Sequence, residues 1–400
     1  MPLSNINQLI TKLNTKESQS CPCPTGILKV NLRQLERNIL ELTRFANKKK
    51  KEKVKFLLPV KANAYGHGII PVANFVEAKK LCDYFGVANF QEAYELRKNK
   101  ITTPILILGQ PSCEIKYFKF IIKNNIEQTI SDENILFTLN QEAKNLDKKA
   151  NIHLSIDTGM GREGVLLKDF PNILEKILNY SHINLVGVMT HFAVADEKKS
   201  TAKIFTNQQI NIFKDIKNII NLNLSGKNII FHTANSAGIN FDSNLFDMIR
   251  PGIASYGYPE DNSKLKLKPI LELKSKICLI KKYPKNYSLG YGQTYKTKKE
   301  NEIIGIVPIG YGDGLNRLLS NKLTPIINNI KRKSVGRISM DQFSVIIDNK
   351  IKVNDEVIIL GEQNKISNTA IDLARQSDSI SYEILCNLGN SKRLRHEYEY

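Results

Sequence analysis

Lys61 stands in the run Phe56-Leu57-Leu58-Pro59-Val60-Lys61-Ala62-Asn63-Ala64-Tyr65-Gly66-His67-Gly68. An apolar stretch shaped like a β-strand ends on this lysine, and a glycine-containing loop follows. Burying an ammonium without a partner is costly. Such an amine makes sense beside a carbonyl group, tuned for Schiff-base chemistry. A lysine that snorkels to the rim is the competing reading. Other candidates share its setting. Arg162 lies in the glycine-rich run Asp157–Gly164, and His191 follows INLVGVMT. Ser236 follows NIIFHT, and Arg250, Gly252 and Ile253 follow Asp247. Taken singly these assign nothing, since a lone histidine is usually structural and a lone serine can cap a helix. Tyr291 and Asp341, taken alone, read as turn residues. Position is the argument: the polar and glycine-rich residues follow strand-like runs.

Those runs are 27–32, 54–61, 84–88, 105–108, 127–130, 152–157, 183–190, 228–233 and 247–250. Between them lie segments with helical apolar spacing, such as Leu32, Leu35, Ile39 and Leu42. The alternation predicts a parallel α/β architecture, and eight repeats close a (β/α)8 barrel of the TIM type. Nine runs leave one over. The first is assigned outside the barrel, where it can join a second domain. Barrel active sites collect at the C-terminal ends of strands, which is where the candidate residues fall. After about residue 262 β-rich runs dominate: LELKSKICLI, EIIGIVPI, SVGRISM, FSVIID and VIILG. The expected organisation is an N-terminal extension (1–26), a barrel (27–262) and a mostly β C-terminal domain (263–400). The boundary is placed in Pro259–Lys268. Leu3, Ile6, Leu9, Ile10 and Leu13 outline one face of a short helix in a peripheral extension.

Composition narrows the partners. The chain has 400 residues, 42% of them hydrophobic and 24% charged, ordinary for a globular protein. No apolar stretch approaches the ~20 residues needed to cross a bilayer. The N-terminus shows no secretory signal, and the six scattered cysteines imply neither a zinc site nor a disulfide framework. A reducing cytoplasm is the expected compartment. The net charge of +19 raises a nucleic-acid partner, but lysine is spread along the chain and no nucleic-acid-binding signature accompanies it. The Lys48–Lys53 run is read as a solvated loop. No nucleic acid, membrane or metal is expected.

Nine segments appear in order: VKANAYGHG, DTGMGREG, MTHFAVAD, HTANSAG, RPGIASYG, LGYGQTY, PIGYGDG, GRISMDQ and SYEIL. The chain resembles alanine racemases over about residues 27–395. That resemblance implies a homodimer using pyridoxal 5′-phosphate (PLP) to interconvert L- and D-alanine, supplying D-alanine for peptidoglycan. Lys61 would hold the cofactor and serve one face of the substrate Cα. Tyr291, from the partner subunit, would serve the other, with His191 in support. Tyr65, Ser236, Tyr382 and the amides of Gly252 and Ile253 would hold the phosphate. Arg250 would face the pyridine nitrogen. A guanidinium donates a hydrogen bond but does not readily accept a proton, so the ring stays a weaker electron sink and side reactions are suppressed. Arg162 would contact the phenolic oxygen and approach the substrate carboxylate. Met340 and Asp341 would reach the partner's site, and Tyr311 would line its entrance.

The chain departs from the common pattern at Ser155. Many relatives carry a carboxylated lysine there, whose charge positions the arginine. Serine cannot form that carbamate, so a water or a small anion such as chloride is expected beside Arg162. Racemisation of serine or lysine, or a non-catalytic PLP-binding protein, are the competing functions. The C-terminal domain bearing Tyr291 argues against the last.

Overall fold

The structure is a computed structural model and describes residues 3–18, 23–111, 115–241, 245–259 and 265–400. All nine expected N-terminal strands are present: β1 (Ile27–Asn31), β2 (Lys55–Pro59), β3 (Tyr84–Val87), β4 (Ile105–Ile107), β5 (Ile126–Ile130), β6 (Ala150–Ser155), β7 (Ile183–Met189), β8 (Ile230–His232) and β9 (Met248–Ile249). Eight of them form one parallel sheet in the order β8-β7-β6-β5-β4-β3-β2-β9. The ends meet through single bonds: the Asp247 amide donates to the Phe231 carbonyl (2.8 Å) and the Arg250 amide to that of Ala234 (2.8 Å). The result is a (β/α)8 barrel with helices outside it. Continuous burial of Phe56–Val60 and of Ile126–Ile130 fits strands covered on both faces.

β1 is the strand left out. It pairs antiparallel with β10 (Leu271–Lys276) and parallel with Arg395–Glu399, in the sheet of the C-terminal region. A second, four-stranded antiparallel sheet includes Leu279–Tyr283 and Glu302–Val307. The β-rich run 271–280 spans parts of two strands. β10 belongs to the first sheet and Leu279–Tyr283 to the second, and the residues between them carry the chain across. The sequence-based boundary includes 260–264, which lie outside the described residues, as do Cys21 and Cys113.

Two expectations are amended by side-chain contacts. The lysine run 48–53 is not simply a solvated loop, because the helix Leu32–Lys50 continues into it. Lys49 Nζ donates to the carbonyls of Ile239 (3.0 Å) and Asn240 (2.7 Å), and Lys50 pairs with Asp247 (3.0 Å). The N-terminal helix Leu3–Ser18 docks on the body, with Ile6 and Leu13 buried. Its Asn14 side chain pairs with the backbone of Tyr398 as a neighbouring strand would. Nδ2 donates to the Tyr398 carbonyl (2.9 Å) and Oδ1 accepts from its amide (2.8 Å). Asn14→Ala leaves both groups without this partner and should cost about 1–3 kcal/mol. The urea midpoint is expected to fall; an unchanged midpoint would show that the clamp adds no stability.

Candidate active site

A cavity of about 360 Å³ lies at the C-terminal ends of the barrel strands. It is lined by Lys61, Tyr65, Arg162, His191, Ser236, Arg250, Gly252, Ile253 and Tyr382, nine residues drawn from six separate stretches of sequence. Three cations therefore face it against one carboxylate, Glu163. This volume and charge suit a small anionic ligand.

The strand β2 stops at Pro59, two residues short of Lys61, which instead opens a turn. Ala62, Asn63, Ala64 and Tyr65 all have φ between +51° and +57°, a left-handed turn built without glycine. This conformation costs about 1–2 kcal/mol per residue. Its surroundings hold it. Asn63 Nδ2 donates to the Gly389 carbonyl (3.1 Å) and Asn63 Oδ1 accepts from the Ile69 amide (2.8 Å). The helix Ser381–Gly389 presses against the turn, and a Cβ on Gly66 would lie 2.2 Å from the Leu385 carbonyl oxygen. The same helix brings Tyr382 to the cavity.

Glu92 anchors the start of the turn. Its two carboxylate oxygens accept from the amides of Ala62 and Ala88, each at 2.7 Å. Burial, and then the Arg162 charge, lower the Lys61 pKa, with Glu92 and Glu163 partly opposing. The amine is thus more readily neutral than an exposed lysine. His191 is held at about 3 by burial first, then by Arg250, Arg162 and Lys61. It is neutral at physiological pH, with Asn235 Nδ2 3.5 Å from its Nε2.

Beyond the turn, His67 is fully buried and stacks on Tyr256 at 4.5 Å. Burial lowers its pKa from 6.5 to about 3. Above pH 6.5 neither folded nor unfolded chain binds this proton; between 6.5 and about 3 only the unfolded chain does. Stability is therefore lost as pH falls through that window. His67→Gln should reduce the slope of unfolding free energy against pH by up to about 1.4 kcal/mol per unit. Equal slopes between pH 6 and 4 would show that His67 titrates normally in the fold.

The opposite wall fits a phosphate. Among the described residues the amides of Gly252 and Ile253 find no acceptor, whereas that of Ala254 donates to Ser236 Oγ (3.2 Å). Tyr65 packs so tightly on Gly252 that a Cβ there would lie 2.2 Å from its hydroxyl. Free amides, a glycine and two hydroxyls make a suitable anion cradle. Arg250 is buried, and its Nη2 donates to the carbonyls of Thr190 (2.8 Å) and Thr233 (3.2 Å). Burial lowers its pKa to about 9, so the guanidinium remains charged at neutral pH. Asp157 steadies the loop carrying Arg162 by accepting from the amides of Gly159 (2.8 Å) and Gly161 (3.0 Å).

Four expected site residues do not line the cavity. Tyr291 (70% exposed), Met340 (53%) and Tyr311 (43%) present large apolar surface from the C-terminal region, and Asp341 is also exposed. Tyr311 and Met340 are neighbours, since the Tyr311 amide donates to the Ser339 carbonyl (3.0 Å) and that of Gly312 to Met340 (2.8 Å). Arg393 bridges Asp341 (2.9 Å) to buried Asp313 (3.2 Å). Sequence reasoning missed Glu92 and Arg393, because the contacts that tie Glu92 to the Ala62 turn and Arg393 to Asp313 and Asp341 lie 30 or more residues apart along the chain.

The family model described as alanine racemase, N-terminal domain, matches residues 30–260, and that of the C-terminal domain matches residues 270–398. The chain belongs to the alanine racemase family. The family comprises isomerases, consistent with the reading from the nine motifs. The chain is 39% identical to the alanine racemase of Treponema denticola, over 90% of this chain and 94% of that one. It is 39% identical to that of Clostridium perfringens strain SM101, over 83% and 86% respectively. The solved alanine racemase of Clostridium difficile 630 superposes with a TM-score of 0.84 at 36% identity, covering 94% of this chain and 96% of that one. The Bacillus anthracis alanine racemase solved with bound L-Ala-P gives 0.84 at 29%, with 94% and 96% covered. Among the described residues, no helix is long and apolar enough to cross a membrane.

Proposed function

We propose that this protein interconverts L- and D-alanine with pyridoxal 5′-phosphate, using Lys61 and a partner subunit's copy of Tyr291 as the two proton-transfer residues. The gathering of Lys61, Arg162, Arg250 and the Gly252–Ile253 amides around one cavity carries the reading. When bound, the cofactor supplies a conjugated electron-withdrawing system that acidifies the substrate Cα–H bond. Tyr65, Ser236, Tyr382 and the Gly252 and Ile253 amides hold its phosphate. Arg250 donates toward the ring nitrogen, and because a guanidinium resists accepting a proton it limits electron withdrawal. Arg162 orients the phenolic oxygen and the substrate carboxylate.

Lys61 Nζ takes or returns a proton on one face of Cα, a role suited to its lowered pKa. A single base cannot reach both faces of a planar carbon. Tyr291 serves the other, supported by His191. Its exposure within one chain agrees with a site completed by a second copy, as does that of Met340, Asp341 and Tyr311 at the carboxylate side and entrance. The working assembly is a homodimer in the cytoplasm, supplying D-alanine for peptidoglycan. With PLP-loaded protein and a panel of L-amino acids, D-alanine should form fastest. Faster D-serine or D-lysine formation would retain the mechanism and reassign the substrate.

Ser155 is buried at the cavity wall, which also includes Arg162. A chloride ion there would supply the negative charge that serine lacks. Replacing acetate by chloride at constant ionic strength should raise kcat/KM several-fold. Identical rates in the two salts would leave water in that place.

A further inference from the structure

Behind Arg250 the barrel interior holds a line of buried polar groups, His232, His153 and Glu127, to which the proposed reaction gives no role. Arg250 Nη1 lies 2.7 Å from His232 Nδ1, His232 Nε2 lies 2.8 Å from His153 Nδ1, and His153 Nε2 lies 2.7 Å from Glu127 Oε2. Tyr84 Oη lies 3.4 Å from the other Glu127 oxygen. The four residues of the line come from β5, β6, β8 and the segment after β9, and Tyr84 from β3. Both histidines are fully buried.

The donor directions follow from the two ends. A guanidinium only donates, so His232 Nδ1 must present its lone pair. Neutral His232 then carries its hydrogen on Nε2 and donates to His153 Nδ1. His153 in turn carries its hydrogen on Nε2 and donates to the Glu127 carboxylate, which only accepts. Every bond points from Arg250 to Glu127, and a cation at one end is balanced by an anion at the other. Glu127 also borders a recess lined by Asn124, Asn125 and Asn151, at the N-terminal ends of the strands. The line therefore runs from the active-site mouth toward the opposite mouth. Its geometry needs a glycine on the neighbouring strand, because a Cβ on Gly187 would lie 2.3 Å from His153 Nδ1.

We propose that Glu127 is a positioning residue for the reaction, acting through His153 and His232 to orient Arg250 and maintain its charge. The kinetic consequence rests on the cofactor-ring role given to Arg250 above; the hydrogen-bond directions do not. Two measurements separate them. In ¹⁵N-histidine-labelled holoenzyme at pH 7, long-range ¹H–¹⁵N spectra should show His153 and His232 both neutral and protonated at Nε2. An Nδ1-protonated or cationic ring at either position would overturn the line itself. Glu127→Gln keeps the shape and removes the anion. It should lower kcat about 10-fold, leave KM for alanine within twofold, and move the absorption band of the bound cofactor, while Glu127→Asp restores part of each. Unchanged kcat and absorption in E127Q would overturn the positioning role. The expected spectra in the wild type together with a lowered kcat but an unmoved absorption band in E127Q would place the failure in the assignment of Arg250 to the ring.

Discussion

Lys61→Ala should lower alanine racemisation by at least ~10⁴-fold, because in the proposed mechanism one substitution removes both the cofactor's amine partner and one proton-transfer group. The side chain stands at the head of a strained turn, yet the turn is held by Asn63, Glu92 and the Gly66–Leu385 approach rather than by the amine. The variant should therefore fold, with an unfolding midpoint close to the wild type. Removing a partly buried amine that lies near Arg162 even relieves a repulsion. Retention of more than a hundredth of wild-type activity would show that Lys61 is not the base. Loss of activity with an unfolded spectrum would instead assign the lysine to the fold.

Tyr291→Phe should be comparably damaging, and mixing it with Lys61→Ala should partly restore activity. Tyr291 does not line the cavity of its own chain and is 70% exposed. If each site takes Lys61 from one chain and Tyr291 from the other, a mixed dimer has one site lacking both and one with both intact. Random exchange between the two variants at equal concentration makes half the dimers mixed, which gives about a quarter of wild-type activity. Dissociation and remixing of the two inactive proteins, followed by assay, reads this directly. No recovery, with mixed dimers shown to be present, would contradict shared sites.

Much of the barrel was legible because buried parallel strands are continuous apolar runs, and polar residues just beyond them fall at one mouth of the barrel. The sequence alone thus places Lys61, Arg162, His191, Ser236 and Arg250 near one another. Placing β1 outside the barrel also agrees with the sheet in which it is found. The left-handed turn was not legible. Ala62–Tyr65 contain no glycine, and their conformation depends on contacts with residues more than 300 positions away. The line from Glu127 to Arg250 was equally hidden: its members are scattered along the chain, and Gly187 reads as an ordinary glycine until His153 is set against it. Lys49 and Lys50 looked like solvated charge because their acceptors lie about 190 residues further on. The exposure of Tyr291, Met340 and Tyr311 was not legible either, since solvent exposure of a turn residue depends on packing by distant parts of the chain.

The most direct test of the account is to incubate the PLP-loaded protein with L-alanine in deuterated water and follow the Cα position of both enantiomers. D-alanine carrying solvent deuterium at Cα is expected, because the proton leaves on one face and another arrives on the opposite face, and neither signal is expected from Lys61→Ala. D-alanine that retained its original hydrogen throughout would contradict exchange between two solvent-accessible bases, and a fully loaded protein that formed no D-alanine would contradict the assigned reaction.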